Sequence, residues 1–161
     1  MRRICLTLLV CALVAPATAV AGGSTPTTAA TSGSLGISGA PGAPGASGSI
    51  SLVGKGVVFG YVAHGTVIVY SYKADGNAVP TVSGAKMTLS SDASSVVYTG
   101  NGMRFLFPGG PYQLEIDGVG IDLSAVGNGS VSALGSGTLN ADNVMLALGR
   151  IPTGASWGPL G

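Results

Sequence analysis

The chain carries one histidine, His64, and six carboxylates, and these set the bounds of any acid–base chemistry. His64 is the only side chain whose ordinary pKa lies near neutrality, so a serine-type triad would have to be built on it. It stands with Gly65 between two apolar runs, VVFGYVA and TVIVYSY. That placement predicts a solvated turn, where a base lacks the burial and the orienting carboxylate that a triad requires. Glu115 and Asp117 are two apart in YQLEIDG and would share one face of a strand. A glycosidase pair instead faces itself across a cleft, roughly 5 to 10 Å apart. Gly154-Ala155-Ser156-Trp157-Gly158 matches Gly-x-Ser-x-Gly. A nucleophile elbow needs a strand before it, a helix after it and a large α/β sheet around it, so this match is read as accidental.

Metal chemistry fares no better. Both cysteines, Cys5 and Cys11, lie within the first 21 residues, so the rest of the chain has no thiolate ligand, no cysteine nucleophile and no disulfide. Gly118-Val119-Gly120-Ile121-Asp122 matches one unit of a calcium-binding nonapeptide repeat. The next Gly-x-Gly units, from Gly127 and Gly135, place Val131 and Leu139 at or beside the position of Asp122. Such sites need stacked carboxylates from successive units. We expect no metal and no cofactor.

Residues 1–21 read as a signal peptide: Arg2 and Arg3, an apolar stretch, then small residues at Ala17, Ala19 and Ala21. Secretion to the cell exterior or envelope is the expectation, with no stable membrane insertion after cleavage. Beyond the leader, five basic residues (Lys55, Lys73, Lys86, Arg104, Arg150) meet six acidic ones (Asp75, Asp92, Glu115, Asp117, Asp122, Asp142). Phosphate neutralisation dominates nucleic-acid affinity, so a chain so near neutrality is a poor nucleic-acid binder. Residues 22–48 are almost all Gly, Ala, Ser, Thr and Pro and read as a disordered linker. Residues 49–151 are expected to fold, and residues 152–161 to be a flexible tail.

Charged residues make up 8% of the sequence and glycine is abundant, with no helical stripe. Short strands and turns fit that composition. A hairpin with its loop at His64-Gly65 would put Val58, Val62, Val67 and Val69 on one face and Phe59, Tyr61, Ile68, Tyr70 and Tyr72 on the other. Further strands are expected at 79–89, 96–99, 103–107 and 112–116, with turns at Asp75-Gly76, Asn101-Gly102 and 108–111. Recurrent Gly-x-Gly pairs, at Gly54/Gly56, Gly100/Gly102, Gly118/Gly120, Gly127/Gly129 and Gly135/Gly137, bare one strand face and permit a bend or the close approach of another backbone. The fold class is all-β: a small antiparallel β-sandwich or barrel of about seven to nine short strands.

The segment FPGGPYQLEI, residues 107–116, resembles the Pro-Gly-x-Tyr-x-Leu pattern of Cna-B-like surface sandwich domains. The resemblance implies a sandwich fold. No lysine, amide and acidic set for isopeptide chemistry is identified, and no site is carried over.

Scarcity of ionisable groups points to a secreted, non-catalytic module that binds an envelope glycan or a surface protein, or serves as a structural layer. The expected binding residues are Phe59, Tyr61, Tyr70 and Tyr72, whose rings suit sugar faces or an apolar partner. The alternative is a small secreted hydrolase using His64 or the Glu115/Asp117 pair.

Overall fold

The computed structural model describes residues 32–70, 79–91 and 93–159. These form eight strands: β1 (Gly33–Ser38), β2 (Ala46–Tyr70), β3 (Thr81–Leu89), β4 (Ser95–Phe107), β5 (Pro111–Ser136), β6 (Thr138–Ala141), β7 (Val144–Ala147) and β8 (Thr153–Trp157). All described strands belong to one antiparallel sheet, ordered β3-β4-β2-β5-β1-β6-β7, with β8 also on β5. No described residue is helical.

Two strands dominate. β2 has 25 residues and β5 has 26, and they pair along nearly their whole length, from Ser47 opposite Ser136 to Tyr70 opposite Gln113. The same two strands also meet a second time. Asp117 lies opposite Thr66 on one side and Ser49 on the other, and Leu114 lies between Val69 and Leu52. The β2–β5 ribbon therefore curls until the first half of β2 reaches the free edge of the first half of β5.

Such curling needs strands that bend sharply and approach closely, and glycine supplies both. A line of cross-strand partners runs Gly100, Gly65, Gly118, Gly48, Gly135 through β4, β2, β5, β2 and β5. A Cβ on Gly65 would run into the carbonyl oxygen of Asp117, and one on Gly118 into that of His64. The same holds for Gly48 against Leu134 and Gly135 against Ser47. Gly54 faces Gly129 and Gly56 faces Gly127 in the same manner. The Gly-x-Gly pairs thus do what bare backbone allows: they admit a neighbouring strand where any side chain would hold it off.

At three points of the line, Gly65, Gly100 and Gly118, the strand also exchanges faces. In β2 the buried residues are Ala46, Ile50, Leu52, Val58 and Val62 before Gly65 and Val67 and Val69 after it. In β4 the change falls between Tyr98 and Met103, and in β5 between Ile116 and Ile121. Gly102 and Gly120, at φ of 65° and 64°, take the left-handed conformation that an L side chain resists, and there the period of two resets.

Several expectations are corrected here. His64-Gly65 is not a hairpin loop: β2 passes straight through, with His64 opposite Asn101 and Val119. Asn101-Gly102 is likewise interior to β4, and the expected short strands at 96–99 and 103–107 are one. A face exchange inside a continuous strand produces the same side-chain pattern as a two-residue turn, which is why the predicted sidedness survives while the turn does not. The two-residue loop lies instead at Asp142-Asn143, at φ of 48° and 68°, joining β6 to β7.

Residues 33–48 are not a disordered linker. Leu35 and Ile37 alternate with small residues, and both side chains are buried as β1 inserts between β5 and β6. Residues 153–157 are not a flexible tail, since β8 pairs with β5 and Trp157 is 1% exposed. The Gly-x-Ser-x-Gly match is therefore strand, with no turn into a helix. The expected leader at 1–21, residues 22–31 and the expected Asp75-Gly76 turn lie outside the described residues.

The core is wholly apolar and aromatic: among the described residues no polar or charged residue is buried. Phe105 crosses Phe107 edge-on at 6.2 Å, and Phe107 tilts against Tyr112 at 6.4 Å. The two ends of the described chain are pinned by one side chain. The Asp142 carboxylate accepts the Ser34 N–H and the Gly158 N–H, each at 2.7 Å.

Two outcomes follow. Gly118→Ala should lower unfolding free energy by about 1–3 kcal/mol, since the new methyl meets backbone. Gly36→Ala, where a Cβ meets nothing within 4 Å, should be neutral or raise it by up to about 1 kcal/mol. Denaturant titration of both reads the contrast, and equal losses would refute the close-approach account. Asp142→Ala should cost about 1–3 kcal/mol through two lost charge-assisted hydrogen bonds, read in the same way.

Candidate functional site

Because the inner face of the sheet is core, anything the protein presents lies on the outer face. Phe59 and Tyr61 are adjacent outward positions of β2, about 7 Å apart along the strand. Phe59 is 49% exposed. Tyr61 lies opposite Arg104 of β4 and Asp122 of β5, giving a row of cation, phenol ring and carboxylate across three strands, about 10 Å wide. The Arg104 guanidinium sits over the Tyr61 ring, 5.9 Å from its centre, in cation–π range. In the next row Phe59 stands between Leu106, 43% exposed, and Ser124.

Gly60 lies between the two rings, and its glycine identity serves the inner face. A Cβ there would stand 2.5 Å from the Phe105 ring, which packs beneath it. The result is a shallow open groove of about 520 Å³ lined by Phe59, Tyr61, Arg104, Asp122 and Ser124 over the backbone of Gly60. Its floor is ring and backbone, and its two ends carry opposite charges.

Phe59 and Tyr61 are brought together as the sequence analysis expects. Tyr70 is not part of this group. It sits roughly 30 Å further along β2, beyond the glycine line, and its hydroxyl donates to Glu115 Oε2 at 2.7 Å. That hydrogen bond, some desolvation and the charges of Glu115 and Asp117 raise the Tyr70 pKa. Tyr72 lies outside the described residues. Arg104 and Asp122 were not expected beside Tyr61. Only the pairing register reveals them, because each is a lone charge in its own stretch of sequence.

The acid–base candidates are not assembled into a centre. His64 is exposed within β2, and Glu115 is engaged by Tyr70. Glu115 and Asp117 lie opposite Ile68 and Thr66, side by side on one strand face and not across a cleft. Among the described residues no three of His, Cys, Asp and Glu come close enough to hold a metal ion.

Two heteroatoms of ring side chains lie inside the aromatic part of the core. The Tyr112 hydroxyl and Trp157 Nε1 are buried with no hydrogen-bond partner among the described residues. Both rings stand over the bare Gly54–Gly129 pair: Tyr112 is opposite Gly54, and Trp157 opposite Gly129. Burial pushes the Tyr112 phenol up to about 12. Comparison with known protein families, with curated proteins and with solved structures gives no match.

The raised Tyr112 pKa fixes a pH dependence. The folded state keeps this proton between pH 10 and 12 while the unfolded chain releases it. The associated stability is complete below the unfolded value near 10 and is lost as pH rises toward 12, at up to about 1.4 kcal/mol per pH unit. Tyr112→Phe should remove most of that slope and, by deleting an unpaired hydroxyl, should not destabilise the protein at neutral pH. Urea unfolding of both proteins from pH 8 to 12 tests this, and an unchanged slope in the variant would count against it.

Proposed function

We propose that the protein is an exported, non-catalytic binding module of the cell envelope or exterior, in which the curled β2–β5 ribbon closes a small barrel and the outer Phe59–Tyr61 face takes the ligand. The observation that carries this reading is the half-exposed Phe59 beside Tyr61, held on a sheet whose opposite face is all core. Phe59 adjoins Tyr61, Leu106 and the Val57–Val126 pair on this face, and a contiguous exposed apolar strip of this kind favours use as a contact surface. Second to this stands the pattern of ionisable groups. Among the described residues none of the carboxylates, His64 or the basic residues is buried, so none has the burial that tunes an acid or a base.

Export rests on the leader at residues 1–21. The ligand in this reading is an envelope glycan or a surface protein. A soluble test protein must keep β1 and β8, because Leu35, Ile37 and Trp157 complete the core.

Capture of cell-envelope material by the immobilised protein should fall at least about tenfold in Phe59→Ala and Tyr61→Ala, since each removes a stacking surface worth about 1.4 kcal/mol or more. His64→Ala, Glu115→Ala and Asp117→Ala should leave capture unchanged. Quantitative pull-down reads all five. Retention of full capture by the two ring variants, or hydrolytic turnover lost with His64, Glu115 or Asp117, would overturn the proposal.

A further inference from the structure

The groove's chemistry narrows the ligand. We infer that the Phe59–Tyr61 groove is a saccharide site, taking an uncharged chain of flat, equatorially substituted pyranose rings. The inference rests on the binding-module reading above.

A pyranose of that kind is amphipathic in a particular way. Its two faces are C–H surface and its rim is a ring of hydroxyls. The groove has the matching layout. The rings of Phe59 and Tyr61 supply apolar area with a polar tip, and aromatic faces of this kind receive C–H surface well. Polar groups border them: Arg104, whose guanidinium lies over the Tyr61 ring and brings its paired N–H donors there, and Asp122, with two acceptor oxygens, on the other side of Tyr61. Neighbouring hydroxyls on a sugar rim present both donor and acceptor, so one ring can satisfy both ends together. Ser124, opposite Phe59, adds a further hydroxyl.

Charge gives an acidic sugar no net pull. Arg104 and Asp122 flank the same ring, so the groove is balanced and carries no excess positive charge that would favour a carboxylate over a neutral ring. Size decides against a protein. Stable protein partners cover about 800 Å² per side, with an apolar centre. Here the apolar members of the face are few, Leu106, the two rings and the Val57–Val126 pair of the next row, and they form a narrow strip broken by Arg104, Asp122 and Ser124.

The test is a titration of the full chain, followed by backbone NMR and calorimetry, with cellotetraose and chitotetraose as neutral probes and trigalacturonate as the acidic one. At least one neutral probe should shift the amides of residues 59–61, 104 and 122. Tyr61→Ala should weaken that probe at least about tenfold, and Arg104→Ala and Asp122→Ala should each weaken it several-fold. Ile151→Ala, exposed and outside the groove, should bind as the parent does. Absence of any shift by both neutral probes at millimolar concentration would overturn the inference, as would tighter binding of the acidic probe or undiminished binding by Tyr61→Ala. If saccharides fail while envelope capture still depends on Tyr61 and is destroyed by protease treatment of the envelope, the saccharide assignment falls and the binding module stands. If capture is also independent of Tyr61, both fall.

Discussion

Two backbones cannot come closer than their Cβ atoms allow, and this molecule is organised around a line where that restriction has been lifted. Along Gly100, Gly65, Gly118, Gly48 and Gly135, five successive strand segments meet with no side chain between them. A single methyl at most of these points would strike a carbonyl oxygen on the next strand. With the methyls absent, two long strands curl far enough to meet each other a second time. The hydrogen bonds of that second meeting leave β5 paired on both edges along its first half, which spares the sheet a long open edge.

The same line settles which surfaces are available. At Gly100, Gly65 and Gly118 the strands change faces as they cross it, so the apolar residues of β2, β4 and β5 stay on the inside through the bend. The outside keeps the remaining positions, including Phe59, Tyr61 and Tyr70. The bend also separates Tyr70 from the other two rings and leaves it to Glu115. One structural device therefore builds the core, chooses the exposed face and divides that face into two neighbourhoods.

The strand character of this chain is legible in its residues, because period-two apolar runs and β-branched and aromatic types carry it directly. The valines at 58, 62, 67 and 69 could be assigned to one face with no structure at hand. What could not be read was whether the change of face at His64-Gly65 reflects a turn or a bend, since both leave the same pattern. Gly-rich composition misled in a similar way at the N-terminal end. Leu35 and Ile37 are enough to seat a six-residue strand that has partners on both edges, and a composition average over residues 22–48 hides them. The groove was half legible. Its rings announce themselves on one strand, whereas Arg104 and Asp122 come from strands whose register only long-range pairing defines.

Asp142 holds Ser34 and Gly158 with the two oxygens of one carboxylate, so the described chain enters and leaves the sheet at a single point. A pull applied between those ends would load that one side chain first. β1 would then peel from β5 and β6, and β8 from β5, a bond at a time, as a zipper opens, with the load passing between them through the short stretch of β5 at 127–129. Under mechanical stress the molecule is a soft clasp in front of a stiff coil, and the aromatic groove sits on the coil.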